Sequence, residues 1–331
     1  MTDPSHMTIH TPGGGPTVHR PAGAADVSVL VPARDEAENL PKFIELCDAA
    51  FRDRPEQYEV IVVDDGSKDG TTAILAQLRA KYPFVRTVRH RSGRGIADAL
   101  RSGYLASTAG ILVFYPADLQ FKPEDIPRLV APILSGEWDM VTGHKEGKYE
   151  KAFVSRIYNG LSRLLFQIPV RDLNNVKAYR REVMDNQPVR PDWHRYMIVL
   201  AAAQGFSVTE IPIPLYPRNA GKSKFGLSRI PIGVLDMLAV WFELRFSQKP
   251  LLAFGMLGAG MFSVAAIGGV LLLTTGLGTR PVWAMIQTAL TLGSVFFSTG
   301  ILGEQVAALR AEQREIRRRL DERLGATAPD A

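Results

Sequence analysis

Three short polar clusters, each directly after a predicted strand, hold the residue types that could do chemistry. They are Pro32-Ala33-Arg34-Asp35-Glu36, the stretch from Asp64 to Thr71, and Pro116-Ala117-Asp118-Leu119-Gln120. A carboxylate at the end of a buried strand is costly without a polar partner, so Asp64 and Asp65 indicate a bound polar ligand. Asp118 and Gln120 offer the oxygen ligands that a hard divalent ion prefers.

Part of the second cluster has a structural explanation. Asp69 is placed to cap the helix that follows it, and Gly66 and Gly70 suit the intervening turn. We therefore assign capping to Asp69 and keep the chemical interpretation for Asp64 and Asp65.

The elements that must position these clusters alternate from Val27 onward. VSVLVP, YEVIVVDD, FVRTVRH and ILVFYPAD are short apolar runs typical of buried strands, and helical stretches separate them. Such alternation predicts an α/β fold with a mostly parallel sheet. Ligands of open parallel sheets bind beyond the carboxyl ends of the strands, where all three clusters are expected.

The last third of the chain contains two uncharged apolar runs, Leu251–Leu277 and Val282–Gly303. Because about 20 helical residues span the roughly 30 Å of lipid tails, each run predicts a transmembrane helix. The alternative is a buried hairpin in a soluble core. Arg245 and Lys249 precede the hairpin and six arginines follow it between residues 310 and 323, so the positive-inside bias predicts that the N-terminal domain faces the cytoplasm.

These patterns divide the chain into five segments. We predict a disordered stretch at 1–25, a catalytic domain at 26–222, amphipathic interfacial helices at 223–249 broken near Pro231, a hairpin at 250–303, and a charged helix and tail at 304–331. The last helix either pairs subunits or lies on the membrane. The net charge of +5 comes largely from residues near the hairpin, which suits lipid headgroups, and no motif indicates nucleic-acid binding. The single cysteine, Cys47, excludes an intramolecular disulfide and is expected to be a buried packing residue.

An ordered set of motifs carries a resemblance to a known family. The motifs are VPARDEAENL, VVDDGSKDGT, SGRGIADALRSGY, YPADLQ, VTGHK and EIPIPLYPRNAGKSKFG, the last followed by the hairpin. From Val27 to about Gly303 the chain resembles family 2 glycosyltransferases with the GT-A fold, a Rossmann-like α/β domain. Within that family it looks like the dolichol-phosphate mannose synthase and polyprenyl-phosphate glycosyltransferase group.

The resemblance implies a nucleotide-sugar site built from the three clusters. The residues that would line or contact the nucleotide sugar are Pro32, Arg34, Glu36, Asp64, Asp65, Ala117 and Asp118. Arg34 stands where the family usually has a Tyr. Asp65 would accept a hydrogen bond from the nucleotide base. Asp118 and Gln120 would hold Mg²⁺ or Mn²⁺. Pro116 replaces the first acid of the family's metal motif, which predicts weaker metal binding.

Basic residues complete the implied site. The diphosphate would be contacted by Lys145, Arg218 and Lys224. The acceptor phosphate would be contacted by Lys222, Ser223 and His194. The alternatives are that the basic loop at 218–224 anchors to anionic headgroups and that His194 is a packing histidine. Gly221 lets the backbone of that loop approach an anion closely, which favours the diphosphate role.

The implied reaction moves a sugar from GDP-mannose or a UDP-sugar to the phosphate of a polyprenyl or dolichyl phosphate, with inversion. The implied catalytic residues are Asp118, Gln120, Arg218 and Lys224. The reaction needs no general base, because the acceptor phosphate is largely deprotonated at neutral pH. One alternative is a lipid with a hydroxyl acceptor, for which Asp172 is the candidate base. Another is an inactive membrane-tethered scaffold, for which Pro116 is the argument. The resemblance also makes a homo-oligomer plausible.

Overall fold

The computed structural model describes residues 25–146, 160–166, 168, 170, 172–173, 175–185, 193–217, 229–246, 249–275 and 280–326. It divides into two compact units, Met1–Met237 and Leu238–Ala331, which are described separately. The predicted disordered segment, up to residue 24, and the predicted phosphate contacts Arg218, Lys222, Ser223 and Lys224 lie outside the described residues.

A seven-stranded sheet organises the first unit, in the order β3-β2-β1-β4-β6-β5-β7. The strands are β1 (Val27–Ala33), β2 (Tyr58–Asp64), β3 (Val85–Arg89), β4 (Ile111–Phe114), β5 (Met140–Glu146), β6 (Lys177–Arg180) and β7 (Val208–Pro214). β1 to β4 are mutually parallel, β6 runs antiparallel to both β4 and β5, and β5 is parallel to β7. The predicted α/β class with a mostly parallel sheet is confirmed.

Eight helices are described between the strands and up to the start of the second unit. They are α1 (Leu40–Phe51), α2 (Thr71–Lys81), α3 (Ile96–Ala106), α4 (Ile126–Leu134), the described part of α5 (160–166), α6 (Arg181–Asp185), α7 (Met197–Ala203) and α8 (Arg229–Phe246). Short 3-10 turns lie at Pro123–Asp125 and Trp193–Tyr196. The central strands β1, β2 and β4 are mostly apolar and buried without alternation, as expected where both sheet faces lie under helices.

The core lies between the sheet and α1. Val29 and Val31 of β1 and Val60 of β2 pack there with Phe43 and Cys47 of α1, and none of these side chains is exposed. Cys47 is thus a buried packing residue, as predicted, and burial raises the pKa of its thiol well above its usual value.

Helix α3 covers the opposite face closely. A Cβ at Gly103 would lie 3.3 Å from Leu30 and 3.4 Å from Val63, so a larger residue would push α3 away from β1 and β2. This contact places the N-terminus of α3 at the carboxyl edge of the sheet, where the predicted clusters lie.

The second unit contains two long helices, α9 (Pro250–Thr275) and α10 (Arg280–Ala326), both long and apolar enough to cross a membrane. They pack closely through glycines: a Cβ at Gly258 would lie 3.0 Å from the carbonyl oxygen of Gly293. Outward-facing side chains such as Leu273 (86% exposed) and Ile267 (61% exposed) are apolar, unlike the outer face of a soluble helix.

Helix α10 continues unbroken from the apolar run into the charged stretch, because no Gly-Pro signal interrupts the sequence after Gly303. Helix α8 is described from Arg229 onward and includes Pro231, and the residues directly before it, where the interfacial helices were expected to begin, lie outside the described residues.

Candidate functional site

The loops after β1 and β2 are joined by reciprocal hydrogen bonds. The Asp35 amide donates to Ser67 Oγ (3.0 Å), and the Lys68 amide donates to Asp35 Oδ1 (2.9 Å). The Glu36 amide donates to Thr71 Oγ1 (3.0 Å). Asp35 has a φ of 56°, a left-handed conformation that Asp tolerates better than most residues. The first two predicted clusters therefore form one surface.

Asp69 was predicted to cap α2, but the N-cap is Gly70 and Asp69 lies one residue before it. Its carboxylate accepts the Thr71 amide at 2.9 Å, which satisfies the first free amide of α2, and the Ala37 amide at 3.2 Å. Burial would raise the pKa of Asp69, but the hydrogen bonds from Thr71 and Ala37 outweigh it and lower this pKa.

Asp64, at the end of β2, is 1% exposed. Its Oδ1 accepts the Ser67 amide (2.9 Å), its Oδ2 accepts the Thr72 hydroxyl (2.7 Å), and Arg89 Nε lies 3.9 Å from Oδ2. Burial would raise the pKa of this carboxyl, but these hydrogen bonds and the Arg89 guanidinium hold the pKa below its usual value. Asp64 is therefore ionised at neutral pH and fixes the turn through internal bonds.

Asp65 anchors the loop that leads into α3. Its Oδ1 accepts the Arg94 amide and contacts His90 Nδ1, both at 2.8 Å, and its Oδ2 accepts the Gly95 amide at 2.8 Å. His90 Nε2 lies 2.9 Å from Ser102 Oγ in α3. A carboxylate has about four acceptor positions, so one remains for a ligand. The predicted contact of Asp65 with a base stays a prediction, whereas its anchoring role was not anticipated.

Close backbone approach brings a third segment to this surface. Gly66 has a φ of 70°, and a Cβ there would lie 2.6 Å from the Gly93 amide nitrogen. A side chain on Gly93 would collide with the guanidinium of Arg34. Arg34 therefore lies against the 92–95 loop. The loops that contain Arg34, Gly66 and Gly93 can approach one another this closely because glycine has no side chain and tolerates a positive φ.

Pro32 and Glu36, the other two residues predicted to line the nucleotide, flank Arg34 in the sequence. Glu36 accepts a hydrogen bond from Asn39 Nδ2 at 2.7 Å, and Pro32 is partly buried near the end of β1, in register with Val63. Pro32, Arg34, Glu36, Asp64 and Asp65 thus all lie at the carboxyl edge of β1 and β2, as predicted.

The carboxylates at this edge predict a loss of stability in acid. The folded-state pKa values of Asp64, Asp65 and Asp69 lie below the usual Asp value of about 3.9, so the folded state binds protons less readily than the unfolded state. Their contribution is complete above about pH 5 and is lost as pH falls through 4 toward the lower folded values. We expect the melting temperature of the full chain in detergent to fall over this range, and Asp64→Asn to flatten the fall. An equally steep fall in the variant would show that Asp64 does not contribute.

The third cluster forms a tight turn after β4. The Tyr115 hydroxyl donates to the Lys122 carbonyl (2.7 Å), and the Tyr216 amide donates to the Gln120 carbonyl (2.9 Å). Leu119 has a φ of 58°, which is strained for a branched residue and persists only where the surroundings impose it. The buried Ala117 and Leu119 side chains anchor this turn and orient Asp118 between them.

The donor set of this turn fits a weakly held hard cation. The Gln120 amide donates to Asp118 Oδ1 at 3.2 Å, so these two residues share one turn. Among the residues that the structure describes, no group of three or more His, Cys, Asp or Glu side chains could hold a metal ion. One carboxylate and one amide oxygen suit Mg²⁺, which commonly keeps water and substrate phosphates as its other ligands.

Basic residues lie near Phe114 at the end of β4, and the sequence identified only some of them. Lys145 Nζ forms an ion pair with Asp172 Oδ2 at 3.0 Å. His194 is 8% exposed, and its ring lies 6.3 Å from that of Phe114, the last residue of β4. Lys177, in β6 opposite Phe114, was missed although it is 1% exposed. The signal was available, since a lysine inside an apolar strand pattern is rare without a function.

Comparisons with known proteins agree with this geometry. The family model described as Glycosyl transferase family 2 matches residues 28–188. The dodecaprenyl-phosphate galacturonate synthase of Rhizobium johnstonii (strain DSM 114642 / LMG 32736 / 3841) is 27% identical over 302 residues, covering 87% of this chain and 89% of that protein.

Solved structures share the fold at low sequence identity. Glucosyl-3-phosphoglycerate synthase from Mycobacterium tuberculosis, in complex with Mg²⁺ and uridine diphosphate, superposes with a TM-score of 0.53 at 19% identity, covering 66% of this chain and 79% of that one. The same enzyme with Mn²⁺ and UDP-glucose gives a TM-score of 0.54 at 21% identity, with the same coverage. These likenesses show the GT-A fold.

Proposed function

Because residues 28–188 form a family 2 glycosyltransferase domain, we propose that this protein is a membrane-bound glycosyltransferase that moves a sugar from a nucleotide donor to the phosphate of a polyprenyl phosphate. The main observation in favour of a lipid acceptor is the pair of helices α9 and α10, which follow the catalytic unit in the chain. Both are long and apolar enough to cross a membrane. The similarity to a dodecaprenyl-phosphate galacturonate synthase, over 87% of the chain, supports the same acceptor class.

The donor site is the edge formed by the first two clusters. Arg34, Asp64 and Asp65 lie there on one hydrogen-bonded surface, and Asp65 retains one acceptor position for a base. We propose a nucleoside-diphosphate sugar as donor, with a uronic acid as the first sugar to test because of the galacturonate named for the relative.

Asp118 and Gln120 would hold Mg²⁺ or Mn²⁺ at the turn after β4. When bound, the ion supplies positive charge that stabilises the departing nucleoside diphosphate. Arg218 and Lys224 remain the proposed cationic partners of the same leaving group, from the basic loop identified in the sequence.

The acceptor phosphate attacks the anomeric carbon in line and inverts its configuration. With a second pKa near about 6 the phosphate is mostly deprotonated at neutral pH, so no general base is required. Asp172, the candidate base for a hydroxyl acceptor, is engaged by Lys145 at 3.0 Å and is 7% exposed. A carboxylate held in an ion pair must break it to accept a proton, which favours the phosphate acceptor.

We propose that both flanks of the hairpin, and with them the catalytic unit, face the cytoplasm. Arg245 and Lys249 precede α9, and the arginine-rich second half of α10 follows the apolar run, so both flanks carry positive charge. The positive-inside bias supports this orientation, because positively charged flanks stay on the cytoplasmic side. Arg310 Nη1 lies 3.4 Å from Glu243 Oε1 of α8 within the second unit, an exposed pair that adds little stability.

The experiment that tests this function is transfer of radiolabelled sugar by the purified full chain in detergent. Donors are UDP-galacturonic acid, UDP-glucose and GDP-mannose, and acceptors are decaprenyl phosphate, decaprenol and diacylglycerol, each with Mg²⁺, Mn²⁺ or EDTA. We expect label in an acid-labile lipid only with decaprenyl phosphate and a divalent ion. Label on a hydroxyl lipid would move the acceptor assignment to that class, and no transfer with any pair would favour the scaffold.

A further inference from the structure

The turn after β4 is held in its shape by contacts from outside it. Leu119 has a φ of 58°, a conformation that a branched side chain adopts only where neighbouring groups impose it. The Tyr115 hydroxyl donates to the Lys122 carbonyl at 2.7 Å. The Tyr216 amide donates to the Gln120 carbonyl at 2.9 Å, which ties the turn to the residues that follow β7.

Lys122 and Tyr216 also meet through their side chains. The Lys122 ammonium lies 4.2 Å from the centre of the Tyr216 ring, within the range of a cation–π contact. The Glu124 carboxylate lies 3.7 Å from the same ammonium, but an exposed ion pair of this length adds little stability. Tyr216 therefore contacts the turn twice, through its amide at Gln120 and through its ring at Lys122.

A metal site with one carboxylate depends strongly on the shape of the turn that carries it. Asp118 and Gln120 would offer the ion one charged and one neutral oxygen ligand, because Pro116 stands where the family has a second acid. If only a fraction of the molecules has the turn in the ion-holding shape, the apparent metal affinity is reduced by that fraction. A contact that keeps the turn in this shape therefore raises the metal affinity without touching the ion.

We propose that Lys122 and Tyr216 are positioning residues for the divalent-cation site. Their side-chain contact holds the turn after β4 in the shape in which Asp118 and Gln120 receive the ion. This assignment rests on the proposed function and deepens it, because it extends the site to two residues outside the three polar clusters.

The sign of the effect separates positioning from simple electrostatics. A lysine cation close to a divalent-cation site repels the ion, so loss of the charge alone would strengthen metal binding. Because Lys122 acts by holding the turn against the Tyr216 ring, loss of its ammonium weakens metal binding. Arginine makes cation–π contacts at least as readily as lysine, so Lys122→Arg should retain most of the metal affinity.

The test measures metal binding without turnover. The purified full chain in detergent is titrated with Mn²⁺ in the presence of saturating UDP, and free Mn²⁺ is measured from its electron paramagnetic resonance signal. We expect Lys122→Met to weaken Mn²⁺ binding roughly two- to fivefold, the range that one cation–π contact between partly exposed groups supplies. Tyr216→Leu, which keeps the backbone amide and removes the ring, should weaken binding by a similar factor.

A double-mutant cycle assigns the effect to the contact. Lys122→Met combined with Tyr216→Leu should weaken Mn²⁺ binding little more than either single change, because both remove the same contact. Lys81→Met is the matched control, since the Lys81 ammonium lies 4.9 Å from the Tyr82 ring at the end of α2 farthest from the second cluster. It removes an equivalent contact elsewhere in the catalytic unit and should leave Mn²⁺ binding unchanged.

The positioning role is overturned if Lys122→Met strengthens Mn²⁺ binding or leaves it unchanged, or if the two single changes add in the double variant. It is also overturned if Lys81→Met weakens binding as much, or if the wild-type chain binds no Mn²⁺ with UDP present. Should Tyr216→Leu fail to fold, the difference between Lys122→Met and Lys122→Arg decides the outcome. No sugar is transferred in this measurement, so it can fail while transfer to polyprenyl phosphate stands.

Discussion

Asp118→Ala is expected to lower sugar transfer by roughly 10²–10³-fold, the range seen when one electrostatic stabiliser of a transition state is removed. Asp118 is the one carboxylate of the 116–120 turn, because Pro116 occupies the position of the family's other acid. The effect should fall on kcat and on the concentration of Mg²⁺ or Mn²⁺ needed for half-maximal rate. Steady-state transfer across a metal titration measures both.

The fold should survive this substitution, because the turn is held by other groups. Tyr115, Gln120 and Tyr216 make its anchoring hydrogen bonds, and Leu119 is buried. The melting temperature in detergent should therefore change little. Asp53→Ala, which removes an exposed carboxylate in the turn after α1, is the matched control and should retain full activity. Full activity of Asp118→Ala would eliminate the metal role.

Asp65→Ala is expected to destabilise the catalytic unit and to weaken nucleotide binding together. The substitution removes the acceptor of the Arg94 and Gly95 amides and of the His90 ring. Each buried donor left without a partner costs about 1–3 kcal/mol, so a loss of roughly 3–5 kcal/mol in the free energy of unfolding is expected. Denaturant unfolding of the full chain in detergent and calorimetric titration with UDP measure the two effects.

Asp65→Asn separates charge from shape at the same position. The Asn side chain keeps one acceptor oxygen, but its NH₂ group faces one of the backbone N–H groups that Asp65 accepts. We therefore expect a loss of stability between that of the wild type and that of Asp65→Ala. Asp69→Ala is the matched control on the same loop, since Asp69 accepts only the Thr71 and Ala37 amides and the loss is expected to be about 1 kcal/mol, as for a lost helix cap. If Asp65→Ala unfolds no more easily than Asp69→Ala, the anchoring role assigned to Asp65 is wrong.

The strand and loop assignments were accessible from the sequence because they rest on local patterns. β1, β2 and β4 are continuous apolar runs, and the polar cluster after each begins where the strand stops. Parallel pairing brings such ends together by necessity, which is why Asp64, Asp65 and Asp118 were expected at one edge. The apolar hairpin was equally accessible, since its length and lack of charge are composition alone.

The roles of individual side chains were less accessible because they depend on long-range contacts. Asp65 anchors residues about thirty positions away, and the acceptor for each amide is fixed only when α3 docks through Gly103. Lys177 gave a visible signal as a charge in an apolar strand, but its surroundings come from β4, the 172–173 stretch and the 193–196 turn. No local pattern specifies that meeting.

The sequence alone determined that this chain has an α/β domain with acids at its strand ends, followed by two apolar helices, because periodicity and composition act over neighbouring residues. Tertiary structure alone decided which acids are already used by the protein and which basic side chain is buried. Asp64 and Asp69 turned out to be occupied by internal hydrogen bonds, and Lys177 turned out to be buried, with its ammonium donating to the Leu173 and His194 carbonyls. Burial and hydrogen-bond satisfaction are properties of packed elements, and only packing brings residues 114, 145, 172, 177 and 194 together.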